Sequence, residues 1–348
     1  MRMPTPKRIL VARLGAIGDC LRVLPAVVRL RAAFPDAEIG WVIGDLARPL
    51  FEGHPAIDRL HVVRRHEMKG GPLAALGELR RVGGELAAVR YDVAIDFHTR
   101  LKSGVLAFAS RAPRRIGFDR KSGGEANFLF TNEHVRLEDH YENRVLRFQR
   151  LLVPLGLECS PRATGIEAAL WIPPAAAAVG ARIYEEAGRP EVAIFAATSG
   201  ARSYDRWPAE RWRDVASRLA DANVRSMVLW GPGEMEMAGA IAGGTGGCAV
   251  APPTTLAEMM ALLGHFRLYV GSNTAALHMA WMQKVASVVL VGGRPWRTDR
   301  PLAPVPSIML SAGGAEPSRK LRGTAAQRAI EGVEVDEVVA AALKLLAP

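Results

Sequence analysis

Asp19 is the first candidate for acid–base chemistry in this 348-residue sequence. It follows Arg8–Ala12 (RILVA), a short apolar run typical of a buried parallel strand. In the intervening loop, Gly15 and Gly18 allow a tight turn and close approach of a ligand to the backbone. A carboxylate at this place that faces a ligand cleft could act as a general base. A carboxylate at a helix start is also favoured by the helix dipole alone, so its position leaves both interpretations open.

Three segments of the second half could bind a diphosphate. Each follows an apolar run typical of a strand and offers hydroxyls, backbone N–H groups or basic side chains, although an ordinary loop explains the first segment equally well. The candidate residues are Thr198, Ser199, Arg202, Arg206, Glu234, Asn273, Thr274, Ala275 and His278. Glu234 could accept hydrogen bonds from ribose hydroxyls or cap the next helix. By spacing alone, His278 lies one turn into a helix and is interpreted as a packing residue.

Other classes of chemistry lack their sequence signatures. The loop after the first strand is not GxGxxG, which disfavours an NAD-dependent oxidoreductase. The sequence has no metal-ligand spacing, no GxSxG and no Walker A motif. Its three cysteines lie far apart. We therefore expect neither a metal centre nor a disulfide framework.

The net charge of +10 is unevenly distributed. Residues 1–170 hold 27 basic and 19 acidic residues, a balance of +8, whereas residues 171–348 have a balance of +2. A positive field attracts nucleic acid, anionic membranes or phosphorylated substrates, and a solvated arginine-rich surface explains the charge equally well. Because basic and aromatic residues do not interleave, we expect no nucleic acid partner.

Alternating strands and helices must position these candidates. Two successive series predict two doubly wound α/β domains with parallel sheets, whose ligands bind at the carboxyl ends of the strands. We place the first domain at residues 1–170, with a linker near its end, and the second at 171–330. The spacing predicts a helix over His140–Leu155. The sequence allows a closing helix at 331–348 to pack back on the first domain.

No signal peptide or membrane span is evident. The apolar run at the amino terminus is broken by Arg13, Gly15 and Asp19. No window approaches the roughly 18 uncharged apolar residues that a membrane span requires. We therefore expect a cytoplasmic protein.

Five motifs in order along the chain carry a resemblance to a known family. They are RILVARLGAIGDCLRVLPA at 8–26, YDVAIDFHTRLKSG at 91–104, RRIGFDR at 114–120, DRWPAERW at 205–212 and GSNTAALHMA at 271–280. The first motif is the most specific, because it joins a strand, a Gly-x-x-Gly-Asp turn and the following Leu-Pro-Ala. In these motifs the sequence resembles the ADP-heptose:lipopolysaccharide heptosyltransferases, glycosyltransferase family 9.

The resemblance implies a GT-B fold, in which two Rossmann-like domains face a cleft. The first domain would bind the acceptor and the second the nucleotide sugar. The implied activity is inverting, metal-independent transfer of heptose from ADP-heptose to the lipopolysaccharide inner core, with no cofactor besides the ADP-sugar substrate. Asp19 matches the family's proposed catalytic base. A lipid-linked core oligosaccharide as acceptor implies peripheral contact with the inner face of the inner membrane.

Acceptor binding is assigned to the basic first domain. The candidate residues are Gly15, Gly18, Arg100, Lys102, Ser103, Arg114 and Arg115. Lys102 and Ser103 match a family motif. Arg100 and the pair Arg114 and Arg115 are assigned from their positive charge, which would meet carboxylates and phosphates of the acceptor.

Three positions depart from the family pattern. Asn273 replaces an aspartate, Ala275 a glycine and Asp205 a lysine. A carboxylate that faces a diphosphate is unfavourable, so either Arg206 or Arg202 takes over or the donor differs. Three alternatives to heptose transfer follow. They are a divergent enzyme with another nucleotide sugar or acceptor, an enzyme that hydrolyses or epimerises a nucleotide sugar, and a degenerate nucleotide- or lipid-binding protein with weak activity.

Overall fold

The protein consists of two compact α/β units. The computed structural model describes residues 5–159, 169–198, 206–293, 295–314, 316, 321 and 323–347. The boundary between the units falls between Trp171 and Ile172. Each unit contains a six-stranded sheet whose paired strands run parallel. The doubly wound α/β class predicted from the sequence is confirmed.

The first unit has the strand order β3-β2-β1-β4-β5-β6. Its strands are β1 (Arg8–Ala12), β2 (Glu38–Gly44), β3 (Arg59–Val63), β4 (Val93–Asp96), β5 (Arg114–Phe118) and β6 (Glu133–Val135). Its helices are α1 (Ile17–Ala33), α2 (Arg65–Lys69), α3 (Pro72–Val89), α4 (Leu101–Ala109) and α5 (Arg144–Arg150). The central strands β1 and β4 are almost wholly buried, which explains their short apolar sequences.

The second unit repeats this architecture, with the strand order β9-β8-β7-β10-β11-β12. Its strands are β7 (Val192–Phe195), β8 (Ser226–Val228), β9 (Cys248–Val250), β10 (Leu268–Ser272), β11 (Ala286–Leu290) and β12 (Ser307–Leu310). Its helices are α6 (Pro174–Glu186), α7 (Ala209–Asp221), α8 (Met235–Ala242), α9 (Leu256–Leu263), α10 (Ala275–Met282), α11 (Gly323–Glu331) and α12 (Val335–Leu346).

Each sheet reverses its order of connection at one point. Numbered within its own unit, each has the order 3-2-1-4-5-6 of the Rossmann fold. The reversal lies between β1 and β4 in the first sheet and between β7 and β10 in the second. Loops leave the carboxyl ends of these two strands in opposite directions and open a crevice, called here the switch point, where ligands of such sheets bind.

The helix expected over His140–Leu155 is much shorter in the structure. Helix α5 begins after Asn143, whose side chain caps it by accepting a hydrogen bond from the backbone N–H of Val145 at 3.0 Å. A separate turn of 3-10 helix follows at Val153–Leu155. Pro154 lies in that turn and cannot donate an α-helical hydrogen bond, so the α-helix ends before it.

The closing helix α12 packs against elements of the second unit. Val338 and Ala342 of α12 belong to the same buried core as Trp212 of α7 and Leu268 of β10. Its apolar face is therefore covered by the second unit.

Within the described part of the chain, no helix has both the length and the apolar composition needed to cross a membrane.

Candidate active site

The first switch point carries a carboxylate that three arginines contact. Asp19 lies in the first turn of α1, and its side chain is 16% exposed. Arg13 pairs with its Oδ2 and Arg22 with its Oδ1. Nη1 of Arg144, from α5, lies 3.0 Å from the same Oδ1. One negative charge thus faces three positive ones.

The three arginines differ in how firmly they are held. Arg13 and Arg22 have side chains that are 9% and 8% exposed, whereas that of Arg144 is 31% exposed. Arg13 also donates from Nη1 to the carbonyl of Phe97 at 2.8 Å, and its guanidinium lies 5.6 Å from the ring centre of Phe148. Arg13 and Arg22 are therefore fixed in the site, and Arg144 is its outer member.

The charge cluster governs the protonation of Asp19. Burial alone would raise the pKa of this carboxyl, but the positive charges of Arg13, Arg22 and Arg144 oppose burial and outweigh it. The pKa of Asp19 is consequently held well below its ordinary value. Asp19 is a carboxylate throughout the physiological range, with both oxygens engaged by guanidinium groups.

A second carboxylate, Asp96, organises the loop after β4. Its Oδ1 accepts hydrogen bonds from the backbone N–H groups of His98 (2.9 Å) and Thr99 (3.1 Å). Its Oδ2 accepts from the hydroxyl of Ser103 (2.9 Å) and the amide of Asn127 (2.5 Å). Burial raises the pKa of Asp96 to about 6, although these hydrogen bonds lower it. Asp96 therefore ties the loop to the start of α4.

His98 lies in this loop as a neutral group among cations. Its Nδ1 is buried and has no hydrogen-bond partner among the described residues. Burial and, to a smaller extent, the positive charges of Arg13 and Lys102 together lower the pKa of His98 to about 3. At neutral pH the imidazole is uncharged and retains one nitrogen lone pair beside the Asp19 cluster.

The structure brings most of the predicted acceptor residues to this edge of the sheet. Gly15 and Gly18 lie in the loop after β1 and the start of α1. Arg100 precedes α4 and pairs with Glu125, and both side chains are about half exposed. The next residues are Lys102, which is exposed, and Ser103, which is bound to Asp96 as described.

Arg114 and Arg115 do not belong to this site, which corrects their assignment from charge. Both lie at the start of β5, beside Val93 and the start of β4, and therefore at the opposite edge of the sheet from Asp19. Arg114 forms a two-point ion pair with Glu133. Arg115 donates from Nε to the carbonyl of Phe130 at 2.8 Å. These contacts give both arginines structural roles.

The second switch point is described at the end of β7 and at the loops after β8 and β10. Thr198 lies just beyond β7, is buried, and accepts a hydrogen bond at 3.2 Å from Nε of Arg206. At the neighbouring strand β8, the carboxylate of Glu234 accepts from the backbone N–H of Gly231 at 3.0 Å. In the loop after β7, the predicted residues Ser199 and Arg202 lie outside the described residues, as does Asp205, which departs from the family pattern.

The third predicted donor segment joins β10 to α10. Asn273 donates from Nδ2 to Oδ2 of the buried Asp299 at 3.3 Å. Thr274 is the N-cap residue of α10, and Ala275 is its first helical residue. His278 lies one turn further and is buried within the unit. The amino terminus of α10 thus lies beside an amide–carboxylate pair.

Several residues of the two switch points are not predicted as site residues from the sequence. They are Arg13, Arg22, Asp96, His98, Arg144 and Asp299. Arg22 had a detectable signal, because it lies three residues after Asp19 on one helix. Arg144 has no such signal, since 125 residues separate it from Asp19. Among the described residues, no group of three or more His, Cys, Asp or Glu could hold a metal ion.

Comparison with known proteins finds lipopolysaccharide heptosyltransferases among the relatives of this chain. The chain is 27% identical to lipopolysaccharide heptosyltransferase 1 of Pseudomonas aeruginosa over 294 residues, which are 82% of this chain and 78% of that protein. It is 27% identical to lipopolysaccharide heptosyltransferase 1 of Escherichia coli over 278 residues, 78% of this chain and 83% of that protein.

A solved structure shows the same fold over nearly the whole chain. The structure of the E. coli heptosyltransferase WaaC with ADP superimposes with a TM-score of 0.76 and 21% identity, covering 97% of this chain and 99% of that one. The sequence model of glycosyltransferase family 9 (heptosyltransferase) matches residues 79–326. The chain belongs to glycosyltransferase family 9 and is a glycosyltransferase with the GT-B fold of that family.

Proposed function

We propose that this protein transfers heptose from ADP-heptose to the inner core of lipopolysaccharide, with inversion at the anomeric carbon and without a metal ion. The observation that carries the proposal is the carboxylate of Asp19 inside a cluster of cations at the first switch point. The lipopolysaccharide heptosyltransferases among its relatives support the acceptor. E. coli WaaC structures with ADP and with ADP-2-deoxy-2-fluoro heptose support the donor.

The reaction is a single displacement. The oxygen of an acceptor hydroxyl forms a bond to the anomeric carbon of heptose, and the bond from that carbon to the diphosphate oxygen breaks. ADP leaves with the electron pair of the broken bond. The hydroxyl proton passes to the carboxylate of Asp19, the general base. Attack from the face opposite the leaving group inverts the anomeric centre.

In this proposal the second unit stabilises the negative charge that develops on ADP. Arg206 and the backbone N–H groups at the start of α10, next to Thr274, supply positive charge and hydrogen-bond donors. A metal ion would serve the same purpose, so these groups support a metal-independent reaction. Glu234 is assigned to the ribose hydroxyls.

The first unit would bind an anionic acceptor. The exposed Lys102 and the partly exposed Arg144 are the cations assigned to the acceptor, and each suits a carboxylate or a phosphate. Gly15 is partly exposed in the loop after β1 and has no side chain, so an acceptor sugar can approach the backbone there. Gly18 is buried in the first turn of α1.

We place this chemistry at the cytoplasmic face of the inner membrane, reached by peripheral contact. Leu101 and Phe108 lie seven residues apart on one face of α4 and are 47% and 58% exposed, and nearby Leu129 is 68% exposed. Phe130 lies against both Phe108 and Gly104 on this face. Exposed basic residues nearby are Arg111, Arg120 and Lys121. An apolar patch with a basic rim suits an anionic lipid surface.

Binding to vesicles tests this surface. Vesicles of phosphatidylglycerol and phosphatidylethanolamine should bind the wild type less as salt rises, and Phe108→Ser with Leu129→Ser should bind several-fold less. Met235→Ser, which changes an equally exposed residue of the second unit, is the matched control. Equal binding by all three proteins would remove this patch from the proposal.

The transfer itself is tested by product analysis. Purified protein is incubated with ADP-heptose and an inner-core acceptor in the presence of EDTA, and the product is examined by mass spectrometry and NMR. The proposal predicts ADP and an acceptor with one added heptose of inverted anomeric configuration. Free heptose would indicate hydrolysis, an altered sugar on the nucleotide would indicate epimerisation, and transfer only without EDTA would exclude the metal-independent mechanism.

A further inference from the structure

The arginine cluster poses a chemical problem for a general base. Both carboxylate oxygens of Asp19 are already engaged by guanidinium groups, and those contacts stabilise the carboxylate against protonation. A carboxylate in this state is a weak proton acceptor. Some event in the catalytic cycle must therefore reduce the number of cations on Asp19 before it can take the acceptor proton.

We infer that the acceptor itself causes this change: an anionic group beside its reacting hydroxyl draws Arg144 away from Asp19, so that Arg144 restricts transfer to acceptors that carry such a group. The inference rests on the proposed function and assigns Arg144 as a specificity-determining residue. The acceptor chemistry it requires is a carboxylate or phosphate close to the nucleophilic hydroxyl.

Arg144 is the arginine that can exchange partners. Its side chain is 31% exposed, more than three times as much as those of Arg13 and Arg22. Arg13 is additionally fixed by the carbonyl of Phe97 and by the ring of Phe148. An anion that arrives from solvent therefore meets Arg144 before the two buried arginines.

The surrounding charges favour an anion at this place. Arg147 of α5 and Lys102 of α4 add positive charge, and His98 is neutral. Two further carboxylates of the first unit are already paired, Glu125 with Arg100 and Glu142 with Arg150. An anionic acceptor group thus enters a region of excess positive charge, and Arg144 keeps a partner after it leaves Asp19.

Exchange of partners changes the basicity of Asp19 only when the acceptor is bound. Removal of one cation from a carboxylate raises its pKa toward its ordinary value. The acid limb of kcat, which reports the enzyme–acceptor complex, should therefore lie at higher pH than the acid limb of kcat/KM, which reports the free enzyme. An acceptor without the anionic group leaves Arg144 in place and reacts slowly even when saturating.

The experiment compares two acceptors and four proteins. The acceptors are a de-acylated inner-core oligosaccharide with free carboxylates and the same oligosaccharide after its carboxylates are converted to amides. The proteins are the wild type, Arg144→Gln, the conservative Arg144→Lys, and Arg150→Gln as a control. Arg150→Gln removes the same charge from the same helix at a residue paired with Glu142 instead of Asp19.

The wild type should prefer the carboxylate acceptor in kcat as well as in KM. Arg144→Gln should reduce this preference in kcat by about tenfold, mainly by speeding the amide acceptor, and should bring the acid limbs of kcat and kcat/KM together. Arg144→Lys and Arg150→Gln should retain the preference. A preference unchanged in Arg144→Gln, or altered through KM alone, overturns the inference. Absence of transfer by the wild type to either acceptor refutes the proposed function instead.

Discussion

The two switch points of this protein share a strand order but differ in their electrostatics. At the first, Asp19 contacts three arginines, and the buried Asp96 accepts four hydrogen bonds that fix the neighbouring loop. At the second, Arg206 donates to Thr198, and the amide of Asn273 donates to the carboxylate of Asp299. The same strand order thus carries a cluster of charges centred on Asp19 in one unit and, among the described residues of the other, the contacts of Arg206 and Asn273.

The difference teaches how a common scaffold divides the work of transfer. Sheet topology determines where a ligand binds, because each crevice lies at the carboxyl ends of the corresponding pair of strands, β1 and β4 in the first unit and β7 and β10 in the second. The loops determine which chemistry takes place there. An ionised carboxylate among cations that can bind an anionic acceptor suits the proton transfer proposed for the first unit, whereas backbone N–H groups and Arg206 suit the diphosphate proposed for the second.

The largest expected effect comes from the base of the first site. Asp19→Asn removes the proton acceptor, so kcat for heptose transfer should fall by about 10²–10⁴-fold. Initial rates with saturating donor and acceptor measure the loss. Asp36→Asn, at an exposed carboxylate of the same unit, should retain the wild-type rate. A kcat within a few-fold of wild type for Asp19→Asn would remove Asp19 from its role.

Asp96 should make the first unit less stable as pH rises. Burial raises the pKa of Asp96 to about 6 in the folded protein, against 3.8 as the ordinary value. The folded state therefore binds this proton more tightly, and the free energy of unfolding decreases between pH 4 and 6. Relative to Asp96→Asn, the wild type should lose roughly 2–3 kcal/mol over this range. Urea unfolding at several pH values measures both curves, and parallel curves would contradict the prediction.

An aspartate at residue 273, where the family pattern has one, should destabilise the folded protein. In Asn273→Asp, a second carboxylate would face Asp299 in place of the amide that now donates to it. We expect a loss of about 1–3 kcal/mol in unfolding free energy. Combining it with Asp299→Asn should restore most of the loss, and a double-mutant cycle measures this coupling. Equal stability of Asn273→Asp and the wild type would show that the pair is not coupled.

The smallest expected effects compare a cation at the carboxyl ends of the strands of the first sheet with one at their amino ends. Lys102→Gln should raise KM for the acceptor by about tenfold, since it removes a cation at the switch-point edge. Arg115→Gln removes the same charge at the opposite edge and should leave KM unchanged. Steady-state kinetics with varied acceptor compares the two variants. An equal rise in both would mean that overall charge, and not position, attracts the acceptor.

The sequence predicts the strands of the two sheets better than it predicts which charged side chains lie at the ends of those strands. Central strands such as β1 are apolar runs buried on both faces, and their pattern is visible without a structure. The edge strands β6 and β9 have three residues each and are only partly buried, so they carry little pattern. Arg144 contacts Asp19 only because the tertiary fold brings the two residues together. Arg114 and Arg115 have the expected positive charge, but they lie at the amino ends of the strands and Asp19 lies at the carboxyl ends.

Calorimetric titration of ADP into three proteins tests the division between the two sites most directly. The wild type and Asp19→Asn should bind ADP with the same affinity, while Arg206→Gln should bind it about tenfold more weakly. UDP, GDP and NAD should bind the wild type more weakly than ADP does. Weaker binding of ADP to Asp19→Asn together with unchanged binding to Arg206→Gln would contradict the account, because it would place the nucleotide in the first unit.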